Sequence, residues 1–225
     1  MGLVQWDCQW QRYRDTTHHG AFRGYSAALC GTGPSIRQVD RMPLEANNNL
    51  LKVCLNNTFK FITPDLWIGM DAPTSFDPEL WSTPGMKYYN KAHSEKLVRG
   101  TAVRDLPETY FYEPFLVENV EDISLETSPY MRFMFEGNTF SVALGVLNWL
   151  QVDTVYLIGC DLGGSNKISR MGSKKKYDSK RQKQHLTNAL NLLRYLNKHG
   201  RMNLISCTPD SPMNEFLEYI PTEEL

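Results

Sequence analysis

Five short runs constrain the fold of this 225-residue chain more than anything else in it. They are 25–30 (YSAALC), 50–55 (LLKVCL), 66–70 (LWIGM), 154–158 (TVYLI) and 203–207 (NLISC). Each is apolar at nearly every position instead of at alternate ones. Strands of that kind are buried on both faces, as in a parallel sheet. Helical patterns alternate with them. A short one covers 35–41. Residues 139–150 (TFSVALGVLNWL) are apolar almost all round, which predicts a buried helix. Residues 183–198 repeat Leu186, Leu190, Leu193 and Leu196 at intervals of three and four, and Gly200 follows as a stop signal. Strands alternating with helices predict an α/β fold with a doubly wound, mostly parallel sheet.

The pattern fails between positions 72 and 135. Pro73, Pro78, Pro84, Pro107, Pro114 and Pro129 interrupt that stretch, and Trp81, Tyr88, Tyr89, Tyr110, Phe111 and Tyr112 make it aromatic. It reads as an insertion packed over the sheet of a single domain, with one extra strand at 110–117. Lys and Arg number 24 and Asp and Glu 25, a net charge of −1, so a general affinity for nucleic acid or for a membrane surface is not expected. No apolar run approaches the roughly 20 residues that span a bilayer. The first fifteen residues hold Trp6, Trp10, Arg12 and Arg14 and do not read as a secretory signal. Cys8, Cys30, Cys54, Cys160 and Cys207 form no CxxC pair and read as small buried hydrophobes in a reducing, cytoplasmic compartment.

Candidate chemistry gathers at strand ends. Cys30-Gly31-Thr32-Gly33-Pro34-Ser35 follows the first strand and opens a helix. Its glycines allow close approach of a ligand, and the first amides of a helix suit a phosphate. Ser35 can cap that helix, and a plain tight turn would need the same residues. No lysine follows to make a Walker loop, and the third glycine of GxGxxG is missing. Asn56, after the second strand, can read a base or ribose, or make an Asx turn. Asp71 ends the third strand and Asp161 the fourth. Two carboxylates there suit Mg²⁺ with phosphates, although either could be a cap and no DxD element is present.

Residues 174–183 carry six cations against the one carboxylate of Asp178, a net of +5. With Gly172 and Ser173 before it, 163–184 reads as a mobile basic lid bearing Tyr177, as a solvated loop, or as a contact for a nucleic-acid backbone. His185 follows, at the start of the last helix. It is placed for a general base, and a surface helix histidine would look the same. His18 and His19 have no carboxylate at matching spacing and receive no role.

The order of these motifs resembles the small bacterial sialyltransferases that use CMP-sialic acid. It also resembles the related motility-accessory-factor and archaeal hydroxymethylpterin pyrophosphokinase-like proteins. The first group opens with a strand, a Cys-Gly-Asn-Gly-Pro-Ser turn and an Asn after strand two, matched by positions 30–35 and Asn56. The second has Pro-Asp six residues before an Asp, as in Asp65 and Asp71. It also has Gly-Asn before a helix and then Leu-Ile/Val-Gly-x-Asp-Leu, as in Gly137-Asn138 and positions 157–162. The resemblance covers 25–71 and 136–220. It implies a Rossmann-like nucleotide-binding fold with a lid.

By position the resemblance also assigns residues. Thr32, Asn56, Thr139 and Tyr177 become nucleotide-binding and His185 the base, and Gly31, Gly33, Pro34, Ser35, Asp71, Asn138 and Asp161 complete the candidate nucleotide site. Thr32 departs from the family's Asn, and only Tyr177 remains of its lid tyrosines. Glycosyl transfer from a nucleotide sugar to a glycan or small-molecule acceptor is favoured, with no cofactor required. A diphosphotransferase using ATP, with Mg²⁺ on Asp71 and Asp161, is the second reading, and a non-catalytic nucleotide-binding protein the third. Nucleic acid as the acceptor rests on the +5 segment alone.

Overall fold

The computed structural model describes residues 4–7, 12–15, 18–116, 120, 133–135, 138–162 and 179–225. Its strands are β1 (Val4–Asp7), β2 (Arg12–Asp15), β3 (Ser26–Cys30), β4 (Leu50–Leu55), β5 (Leu66–Gly69), β6 (Met86–Asn90) and β7 (Leu97–Val98). They continue with β8 (Thr101–Ala102), β9 (Thr109–Tyr112), β10 (Pro114–Leu116), β11 (Phe133–Phe135), β12 (Thr154–Ile158), β13 (Asn203–Ser206) and β14 (Glu218–Tyr219). The α-helices are α1 (Arg41–Ala46), α2 (Thr139–Leu150) and α3 (Ser179–His199), with short 3-10 turns between.

Ten strands form one sheet in the order β14-β13-β12-β3-β4-β5-β6-β9-β1-β2. The eight from β14 to β9 are parallel, and β1 and β2 extend the far edge antiparallel. Along β3, Ala27 and Leu29 join one buried cluster while Ala28 and Cys30 join the other. Strand β12 divides likewise, with Val155 and Leu157 on one face and Ile158 on the other. Burial on both sides is why these runs lack polar alternation. The α/β, mostly parallel, doubly wound expectation therefore holds.

The two faces are covered differently. Helices α2 and α3 lie over one face and touch each other. In α2 every residue but Gly145 and Asn148 is buried. Asn138 starts the helix by accepting hydrogen bonds from the Ser141 amide (2.8 Å) and hydroxyl (3.0 Å). Such a cap contributes about 1 kcal/mol. Gln151 ends it in the left-handed region at φ 60°. The other face is covered by α1 and by 3-10 turns, with Trp67, Phe76, Trp81 and Tyr89 packed edge to face at centroid distances of 5.0–6.2 Å.

Several expectations need correction. The helix expected at 35–41 is a 3-10 turn, Pro34–Arg37, followed by α1. Positions 72–135 are only partly a cover. The 3-10 turns Pro73–Ser75 and Pro78–Ser82 do pack over the sheet, but β6 and β9 belong to the sheet itself. The strand expected at 110–117 is split between β9 and β10, which lie in different sheets. Strand β6 was hidden by Lys87, a buried lysine at its second position. Its ammonium donates to the carbonyls of Thr83 (2.7 Å) and Gly85 (3.1 Å), and burial holds its pKa down. Strands β1 and β2 are four residues each and mix polar with apolar residues, so they gave no pattern.

Cys30, Cys54, Cys160 and Cys207 are buried free thiols, and burial pushes the Cys207 thiol up to about 12. They behave as small hydrophobes. Cys8 lies outside the described residues. Among the described residues, no helix is long and apolar enough to cross a membrane.

Candidate functional site

The chain runs from β3 outward through β4, β5 and β6, then returns to β12 on the other side of β3. The strand order therefore reverses between β3 and β12. In open α/β sheets ligands bind at the carboxyl ends of the strands at such a point. A cleft of about 320 Å³ opens there.

Its floor is where two strand ends meet. The Gly31 amide donates to the Ile158 carbonyl and the Gly33 amide to the Gly159 carbonyl, each at 2.8 Å. A Cβ at Gly33 would overlap the Asp161 carboxylate and stand 2.6 Å from the Gly159 oxygen. The glycine therefore makes room for the chain's own carboxylate. Asp161 accepts from the Ser35 hydroxyl at 2.8 Å and from the Ser35 amide at 3.3 Å. The Ser35 hydroxyl is thus a donor to Asp161; the N-cap residue is Gly33.

The turn's polar groups are engaged within the protein. The amides of Gly31, Gly33 and Ser35 are committed to protein acceptors, and the first turn of the 3-10 segment already holds an anion. Asp161 is fixed from behind as well. Ser211 donates to the backbone oxygens of Cys160 and Asp161 at 3.3 Å, and Thr208 joins the Cys160 amide (3.0 Å) to the Leu157 carbonyl (2.9 Å).

Asn56 sits at the end of β4 with φ 51°, a left-handed conformation that Asn tolerates better than most residues. The Trp67 indole donates to its carbonyl at 2.7 Å, and its side-chain oxygen lies 3.4 Å from the Thr139 hydroxyl. Asn56 and Thr139, 83 positions apart, therefore meet across the cleft. From α3 come Lys183, His185, Leu186 and Ala189. Leu55, Phe140, Leu162 and Leu186 make much of the wall apolar.

The cleft brings together Gly31, Thr32, Gly33, Pro34, Asn56, Asn138, Thr139, Asp161 and His185, and Ser35 lies directly behind Asp161. Asp71 is not among them. It follows β5, three strands from β12, with its carbonyl accepting from the Tyr89 hydroxyl. At about 4.8 Å per strand the two strand ends are about 14 Å apart. Among the described residues, no three His, Cys, Asp or Glu side chains are grouped to hold a metal. Tyr177, Gly137 and most of the 163–184 segment lie outside the described residues. The remaining part, 179–184, is the start of α3 and not a loop.

Sequence reasoning missed the apolar lining, which carries no chemical motif. It also counted Lys183 among the charges of the basic segment and gave it no place in the site, although α3 begins four residues before it.

No family model matches the chain, and no curated protein matches it either. Solved structures do. The sialyltransferase CstII from Campylobacter jejuni in complex with cytidine-5'-monophosphate aligns at 14% identity, over 89% of this chain and 86% of that one, with a TM-score of 0.52. The MAf glycosyltransferase from Magnetospirillum magneticum aligns at 16% identity and a TM-score of 0.59. The chain shares their fold. The monofunctional α-2,3-sialyltransferase Cst-I from Campylobacter jejuni aligns at 11% identity, over 88% of this chain and 80% of that one, with a TM-score of 0.50. Coverage with the MAf protein is unequal: 92% of this chain matches 35% of that one.

Proposed function

We propose that the chain is a glycosyltransferase that takes a nucleotide-sugar donor in this cleft. The observation that carries the reading is the meeting of His185 with Asn56 and Thr139 in one cleft at the strand-order reversal. Proteins sharing the fold are named as sialyltransferases and a glycosyltransferase, and one of them was solved with CMP. In the proposed reaction the nucleoside part rests against Thr32, Asn56 and Thr139. The bond from the anomeric carbon to the phosphate oxygen breaks, and its electron pair leaves with the nucleotide. The acceptor hydroxyl oxygen forms the new bond and gives its proton to His185. The acceptor is a glycan or small molecule bearing that hydroxyl, and Tyr177 is assigned to the donor side.

The diphosphotransferase reading loses support from the geometry. It needs Asp71 and Asp161 on one Mg²⁺, and they stand three strands apart, with Asp161 engaged by Ser35. A thermal-shift screen with CMP, CDP, UDP, GDP, ADP and ATP, each with and without Mg²⁺, separates the readings. CMP or a nucleoside diphosphate is expected to raise the midpoint without Mg²⁺, by about 2.7 kcal/mol of stabilisation at a hundredfold excess over Kd. A shift with ATP only when Mg²⁺ is present would reverse the choice.

A further inference from the structure

The proposed reaction releases a nucleotide whose phosphate gains negative charge as the sugar leaves. The obvious place for that charge, the start of the 3-10 turn after Gly33, is already filled. The Asp161 carboxylate occupies it and takes both the amide and the hydroxyl of Ser35. A phosphate brought there would meet a like charge. The donor phosphate must therefore lie elsewhere in the cleft.

Among the described residues, the lining leaves one counter-charge of fixed sign. Among the described residues around the cleft, the ionisable side chains are Asp161, Cys160, His185 and Lys183. Burial raises the Cys160 thiol pKa, so that side chain stays neutral. His185 cannot accept a proton from the acceptor while already cationic. Lys183 remains. It is two residues before His185 on α3, is exposed, and lines the same cleft.

We propose that Lys183 is the residue that binds the donor's phosphate and neutralises the leaving nucleotide, so that the site uses a lysine where a metal or a helix terminus could serve. This assignment rests on the glycosyl-transfer reading. It places phosphate recognition on α3 and away from the glycine turn. It also puts the phosphate and the proton acceptor on one helical turn, so the two groups that change charge during transfer share one rigid support.

The test compares nucleosides with their 5'-monophosphates by calorimetry on the full chain, using cytidine and CMP, uridine and UMP, guanosine and GMP, and adenosine and AMP. The unsubstituted protein should prefer at least one monophosphate over its nucleoside by about 10–100-fold, the worth of a charged hydrogen bond. In Lys183→Gln that preference should fall to within about threefold, with nucleoside affinity unchanged, and Lys183→Arg should restore most of it. Raising the salt concentration should weaken CMP-type binding in the unsubstituted chain and have little effect in Lys183→Gln. A Lys183→Gln protein that keeps the full preference overturns the assignment. So does one that loses nucleoside and nucleotide equally. If no pair binds the unsubstituted protein, the nucleotide reading beneath the assignment is overturned with it.

Discussion

Replacing His185 with alanine is expected to lower turnover by about 10²–10⁴-fold while nucleotide affinity changes by no more than about threefold. The two effects separate because of where the residue sits. His185 enters the cleft from α3, whereas Asn56 and the glycine turn enter from the sheet. Removing an imidazole from the helix leaves the nucleoside contacts in place. A general base acts in the transition state more than in the ground state, so its loss appears in kcat and not in Kd. A His185→Ala protein that turns over normally would remove the residue from the mechanism. One that no longer binds nucleotide would assign it to binding instead.

The second large effect is expected at Gly33. Gly33→Ala places a methyl group on the Asp161 carboxylate and against the Gly159 carbonyl. Both neighbours are held: Asp161 by Ser35 and Ser211, Gly159 by the Gly33 amide itself. Neither can withdraw without breaking these bonds. Overpacking of this kind costs about 2–3 kcal/mol, or a midpoint roughly 5–10 °C lower in a chain this size. The nucleotide-induced thermal shift should vanish as well, because the cleft floor is what moves. The mild alternative, Ser35→Ala, removes one hydrogen bond to Asp161 and should cost about 1 kcal/mol. An unshifted midpoint in Gly33→Ala would show that the turn relaxes freely and that its tight crossing with the β12 end is not a constraint.

What the sequence revealed follows from how each element is buried. Strands β3, β4, β5, β12 and β13 and helix α2 were legible because they are covered on every side and carry unbroken apolar runs. Strand β6 was not, because Lys87 is its second residue and satisfies its ammonium with local carbonyls. The 3-10 turns around Trp67 were visible only as a proline-rich aromatic stretch, since their packing is edge-to-face contact between residues of different elements.

The convergence of most candidate residues on one cleft was legible, and their bonding was not. Gly31, Gly33, Asn56, Thr139, Asp161 and His185 do converge. That Asp161 would be tied to Ser35, 126 positions away, could not be read from motif spacing. It matters because it engages the Ser35 amide and hydroxyl that the turn would otherwise offer to an anion. Asp71 was misplaced for a related reason. A strand end looks the same in sequence whether it lies beside the crevice or three strands away.

The most direct test of glycosyl transfer is nucleotide release from CMP-sialic acid and from UDP- and GDP-hexoses, followed by NMR in the presence of EDTA, with water and simple sugars as acceptors. At least one donor is expected to release its nucleotide under those conditions, and His185→Ala to abolish the release. No release from any donor, or release that appears only when Mg²⁺ is restored, would contradict the account.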